Sequence, residues 1–221
     1  YFNVSPDDPP DCIWIRDFLP SSEITITIDD PGTVPTDDYV ITRTTNESGD
    51  YNFDSEPRPD FSENWQVTVQ DGVDTVTHTV LHLEFGSFDV GADSISGFAG
   101  LASWPVTVGF WSADLGEYIQ RTTTTGSLGE WAVDFTDAVG DGSGPNQGAD
   151  FKLTDMATVT QGDGGGGGTQ RNGWPPNPKV VVFPEDDTVD GWEWSPSAEV
   201  TISIDSGGAG GGYEHIAAAQ A

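Results

Sequence analysis

Apolar and polar residues alternate along this chain with a period of two, and nowhere sustain a 3.6-residue period. The run Glu23-Ile24-Thr25-Ile26-Thr27-Ile28 is the cleanest case: every second side chain is isoleucine, as a strand with one buried face requires. The same reading predicts strands over 39–44, 51–53, 65–69 and 75–83, then over 87–90, 94–99, 106–111, 118–124, 131–135 and 151–160. Turn clusters separate them, among them Asp29-Asp30-Pro31-Gly32 and Asn46-Glu47-Ser48-Gly49. Asp71-Gly72 between Val-rich runs is the strongest hairpin signal. Short strands at this spacing predict an all-β protein with a sandwich in each half.

The pattern also repeats. Shifted by about 176 positions, the stretch Cys12 to Asp29 lies over Thr188 to Asp205, with Pro20 on Pro196, Glu23 on Glu199, Ile26 on Ile202 and Asp29 on Asp205. A second spacing of about 80 to 82 lays Glu23–Ile28 over Pro105–Phe110 and Gly49–Asp54 over Gly129–Asp134. The expected organisation is a sandwich over 1–83, a second over 84–173, a stiff linker Trp174-Pro175-Pro176-Asn177-Pro178, and a partial third unit over 179–221 that restarts the first. The 163–168 glycine tract reads as a flexible loop that cannot pack. Half a sandwich leaves strand edges open, so Val180, Val181, Val182, Val200, Ile202 and Ile204 are the expected assembly interface. The chain begins at Tyr1 without Met and shows no signal peptide, so a segment of a longer or processed protein is expected.

Charge narrows the partners. The 221 residues carry 37 acidic and 7 basic side chains, a net charge of −30. Binding nucleic acid through phosphates needs lysine and arginine, and an anionic membrane repels this surface. No apolar run reaches the ~20 residues of a spanning helix, so direct membrane insertion is not expected. Cys12 is the only cysteine, which excludes an intramolecular disulfide and favours a buried thiol.

The carboxylates suggest calcium. Asp7, Asp8 and Asp11 near the start of the first unit match Glu185, Asp186, Asp187 and Asp190 near the start of the third, and calcium takes six to eight oxygen ligands. A solvated acidic loop is the competing reading, because no twelve-residue calcium loop is present. Trp192 and Trp194 alternate along a predicted strand and share a face, for core packing or for stacking on sugars. His78 and His82, four apart on a predicted strand, lack a third ligand at motif spacing. Asn3 and Asn46 head N-glycosylation sequons. With so many acids, a glycosidase-like carboxylate pair carries no information. There is no Gly-x-Ser-x-Gly elbow and no phosphate loop. An enzyme is therefore not expected.

Gly191-Trp192-Glu193-Trp194-Ser195-Pro196-Ser197 followed by Glu199–Asp205 resembles the repeats of large secreted bacterial surface proteins. Ser96–Gly100, Val106-Thr107-Val108 and Gly129-Glu130-Trp131 are similar to bacterial immunoglobulin-like domains of adhesins and stalks. That resemblance implies tandem immunoglobulin-like β-sandwiches in an end-to-end array, extracellular or on the cell surface. The expected role is a non-enzymatic structural repeat protein that assembles with copies of itself into a filament by strand completion. The alternatives are a carbohydrate- or cell-binding adhesin module that contacts cell-surface glycans, or an accessory segment of a large secreted hydrolase.

Overall fold

Alternation sets which layer each side chain faces. In the computed structural model, β3 (Glu23–Asp29) buries Ile24, Ile26 and Ile28 completely and leaves Thr25 and Thr27 half-exposed. The structure describes residues 1–6, 11–33, 38–53, 61–136, 148–183, 185–186, 188–194, 199–204 and 213–218, from 202 onward by backbone alone. Among the described residues all regular structure is strand, and none is helix. The chain divides into two compact units, Tyr1–Pro175 and Pro176–Ala221.

The first unit holds two cores. Strands β1 (Phe2–Ser5), β2 (Cys12–Ile15) and β5 (Tyr51–Phe53) pair side by side. Strands β4 (Tyr39–Thr44), β3, β6 (Gln66–Gln70) and β7 (Thr75–Thr79) form a four-stranded antiparallel sheet in that order. Phe2, Ile13, Ile15 and Phe53 from the first set meet Ile24, Ile26, Val67 and Val69 from the second in one buried cluster. The arrangement then recurs. Strands β8 (Leu83–Asp89), β9 (Ser94–Ala99) and β12 (Glu130–Asp134) make a three-stranded sheet. Strands β11 (Glu117–Thr124), β10 (Pro105–Ser112), β13 (Ala157–Gly162) and β14 (Gly167–Gly173) pair in that order. Ile95, Trp131 and Val133 meet Val106, Val108, Phe110 and Val159 in the second cluster, where Phe110 stands edge-on to Phe135 and Phe151. Each core is thus enclosed by two sheets, with the same strand order in both.

The two halves share a sheet. β14 pairs in parallel with β1, Phe2 opposite Gly167 and Val4 opposite Thr169, giving one continuous sheet β11-β10-β13-β14-β1-β2-β5. Pairing across the junction occupies one edge of each half, which would otherwise stand open.

Several sequence expectations need correction. The strand expected over 75–83 is two: β7 stops at Thr79 and β8 starts at Leu83. Between them Val80 exchanges backbone hydrogen bonds with Asn64 and Trp65, and this redirects the chain. The strand expected over 151–160 begins only at Ala157, because Lys152 to Asp155 closes a turn in which the Asp155 carboxylate accepts the Lys152 N–H. Part of the glycine tract is packed: Gly164, Gly165 and Gly166 form an exposed turn, but Gly167 and Gly168 are buried at the start of β14.

In the second unit β15 (Lys179–Phe183) pairs antiparallel with β16 (Thr188–Trp192), and β17 (Glu199–Ile204) with β18 (Tyr213–Ala218). Glu193 has φ 59°, and Asp17, its partner at a spacing of 176, has φ 58°. This left-handed residue ends β16, so Trp192 and Trp194 do not alternate along one strand as the sequence suggested.

Candidate functional site

Two arrangements of polar groups hold the first unit together, a corner in each half and a joint between the halves. In the first corner the Thr45 hydroxyl donates to the Leu19 carbonyl at 2.6 Å and accepts the Ser22 N–H at 3.1 Å. In the second, Thr125 donates to the Leu101 carbonyl at 2.6 Å and accepts the Trp104 N–H at 3.0 Å. Both threonines are buried, and the backbone repeats with them. Thr45 N–H donates to Ser22 and Thr125 N–H to Trp104, each at 3.0 Å. Gly49 and Gly129 sit at φ 82° and 86°, where a Cβ would lie 2.0 Å from the Phe18 carbonyl oxygen and 2.2 Å from that of Ala99. Only glycine fits either position, because the backbone is left-handed and the neighbouring carbonyl occupies the space of a side chain. The turn predicted around Asn46 is half of the first corner.

The joint centres on His78. It projects from β7 and is fully buried. Its Nδ1 lies 2.7 Å from the Asp163 carboxylate and its Nε2 2.9 Å from the Thr169 hydroxyl. Thr169 also accepts the Leu81 N–H at 2.8 Å. Asp163 and Thr169 flank the β13–β14 hairpin, so these bonds tie the first half to the second across 85 and 91 residues of sequence. Burial pushes the His78 pKa down and the Asp163 carboxylate partly opposes this. With a neutral ring, Nδ1–H donates to Asp163 and Nε2 accepts from Thr169, so every polar group is matched. Gly167 makes the approach possible, since a Cβ there would lie 2.3 Å from the His78 Cβ. The Asp163 carboxylate also accepts the Gly165 N–H at 2.7 Å, which shapes the hairpin. The sequence reading missed this joint because it treated the glycines as a loop. The signal in the sequence was Asp163 followed by glycines able to turn tightly, then Thr169.

Asp, His and Thr in this order resemble a nucleophile relay, but Thr169 and the His78 ring are buried and the Thr hydroxyl is engaged on both sides. A nucleophile needs an open approach to its oxygen, so the arrangement serves as a joint.

The other expected site residues are scattered. Asp7, Asp8 and Asp187 lie outside the described residues. The buried Asp11 carboxylate accepts the Phe61 N–H. Glu185 is exposed and Asp186 N–H donates to the Phe183 carbonyl. Asp190 lies opposite Val181 in the β15–β16 pair. Among the described residues no three His, Cys, Asp or Glu side chains gather as a metal site. His82 falls outside β7 and contacts Glu63 and Glu84, so it does not share a strand face with His78. Val180, Val181 and Val182 are exposed on β15. Val200 is half-buried on β17; Ile202 and Ile204 are placed in that strand by backbone alone. Asn3 lies in β1 opposite Gly168. Asn46 is exposed, and its Oδ1 accepts the Ser48 and Asp50 N–H groups. Cys12 is buried.

No family model and no curated protein matches the chain. It is similar to a solved structure described as a tetra-tandem repeat in the extending region of a large adhesion protein, with 17% identity and a TM-score of 0.28. The match covers 100% of this chain and 63% of that one, so this chain spans under two thirds of its length.

Proposed function

We propose that this chain is a non-enzymatic, extracellular structural repeat protein: immunoglobulin-like sandwiches in tandem that extend an array on a cell surface or in a filament. One observation carries the reading. The sequence restarts after about 176 residues, and the first compact unit runs from Tyr1 to Pro175. The period and the folded body have the same length, so the repeating object is a fused pair of sandwiches. The corner and strand order recur within the pair, and the His78 joint and shared sheet make it stiff. A stiff unit repeated along a chain gives reach, which is what an array needs.

The second unit restarts this plan with β15 to β18 in the places of β1 to β4. Strand completion by a neighbouring copy would cover the exposed β15 side chains Val180, Val181 and Val182 and extend the array end to end through main-chain ladders. The test is electron microscopy of the protein with and without a calcium chelator, beside the same chain ending at Pro175. Filaments from the full chain and monomers from the shorter one are expected. Filaments from both would refute completion through 179–221. Filaments that dissolve on chelation would bring Asp7, Asp8, Asp11, Glu185, Asp186, Asp187 and Asp190 into the assembly.

A further inference from the structure

The outer face of the β11-β10-β13-β14 half of the large sheet carries no charge. Val106, Val108 and Phe110 of β10 point into the core, so Thr107, Gly109 and Trp111 face outward. By the same alternation Tyr118, Gln120, Thr122 and Thr124 of β11 face outward, as do Thr158 and Thr160 of β13 and Gln170 and Asn172 of β14. None of these is a carboxylate, an amine or a guanidinium, in a chain of net charge −30.

Two aromatic rings stand on this face, and one is held in place. Trp111 and Tyr118 are directly opposite in the β10–β11 ladder, 58% and 42% exposed. A Cβ at Gly109 would lie 2.8 Å from both Cε1 and Cζ of Tyr118, so the phenol ring lies across the bare β10 backbone at Gly109. Its hydroxyl reaches Thr158 on the next strand. Thr158 in turn donates to Asn172 Oδ1 at 2.9 Å. The Tyr118 ring is therefore pinned at both ends and sits beside Trp111, with the Thr107–Thr122 hydroxyl pair at 2.9 Å next along β10. Glycine under a pinned ring spares the ordering entropy that a free aromatic would lose on binding.

We infer that this face docks a neutral polysaccharide, which stacks its sugar rings on Trp111 and Tyr118 and hydrogen-bonds the amides and hydroxyls of Gln120, Thr122, Thr160 and Gln170. The absence of charge selects the occupant. A basic partner would seek the acidic remainder of the surface, and an anionic one is repelled by it. A neutral, hydroxyl-rich chain is indifferent to that field and matches side chains that both donate and accept. Four strands at about 4.8 Å give a platform of roughly 15 Å, room for several sugar rings. The inference is independent of the structural role proposed above.

The test is affinity electrophoresis of the full chain through gels containing hydroxyethylcellulose, glucomannan or dextran, with alginate as the anionic control. Retardation by at least one neutral glycan is expected, unchanged by salt, with alginate inert. Trp111→Ala and Tyr118→Ala should each weaken it by about tenfold or more. Tyr118→Phe keeps the ring, removes its tether and should weaken it less; its melting temperature separates a binding loss from unfolding. Leu128→Ala, at an 85% exposed residue away from the face, should change nothing. No retardation by any neutral glycan, or retardation that survives both alanine variants, overturns the inference. So does self-association of the wild-type chain that Trp111→Ala abolishes, because the face would then be an interface between copies.

Discussion

The two sandwiches of the first unit build one corner with different chemistry. In the first half the Asp71 carboxylate accepts the Leu19 N–H at 3.0 Å and two more N–H groups from its own turn, Val73 and Asp74. In the second, Gln161 does the corresponding work on Leu101. Its Oε1 accepts the N–H at 2.9 Å and its Nε2 donates to the carbonyl at 3.0 Å. A charged acceptor bound by three N–H groups and a neutral amide bound at both ends hold the same loop. The backbone is what repeats, and the side chain need only satisfy it. The difference matters for titration: Asp71 can be protonated and Gln161 cannot.

The largest effect should come from the element both halves share without variation. Gly49→Ala and Gly129→Ala each force a Cβ into a carbonyl at a left-handed position and should cost about 2–4 kcal/mol, read from urea unfolding. If one is tolerated and the other is not, the corners are not equivalent. Next is the joint that links the halves. Thr169→Val strands the Leu81 N–H and removes the partner of His78 Nε2, at about 1–3 kcal/mol. Thr45→Val takes away the partners of the Leu19 carbonyl and the Ser22 N–H, at about 1–3 kcal/mol; Thr125→Val should cost less, because it strands the Trp104 N–H while Gln161 still holds the Leu101 carbonyl.

The pH dependence separates the halves further. The N–H bonds from Asp74, Leu19 and Val73 lower the Asp71 pKa from its ordinary 3.8. Its stabilisation is then complete above about 3.8 and is lost as pH falls through the lower folded value. Asp71→Asn should remove that acid-side loss, and no Gln161 variant should be needed to steady the second half. His78 acts earlier. Its folded pKa lies below the ordinary 6.5, so the unfolded chain takes up a proton first and the joint weakens as pH drops below about 6.5. Melting curves from pH 7.5 to 3 should show the His78 step first and the Asp71 step last. The smallest effect expected is the fading of the His78 step in His78→Gln, whose amide can still bond Thr169 or Asp163.

Much of the corner was legible beforehand. The alignment of Gly49–Asp54 with Gly129–Asp134 already paired the two glycines, and the structure adds why neither can be replaced: both are left-handed against a neighbouring carbonyl. The joint was not legible. His78, Asp163 and Thr169 are 85 or more residues from their partners, and nothing in local spacing pairs a strand histidine with a glycine-rich turn. Gly167 looked unable to pack because its packing partner is the His78 side chain. For the same reason Trp192 and Trp194 attracted the reading of a sugar platform, whereas the aromatic pair with a fixed geometry is Trp111 and Tyr118.

By itself the sequence determined the class of element and its orientation: period-two alternation set strands and buried faces, and the repeats set how often the plan recurs. Those are local properties, decided by which side chains can leave water together within a few residues. Tertiary structure alone decided that β14 joins β1, that His78 is buried between Asp163 and Thr169, and that one sheet face is free of charge. Each depends on strands far apart in the chain meeting in one register, and main-chain hydrogen bonds, which are alike for every residue, leave no mark of that choice in the sequence.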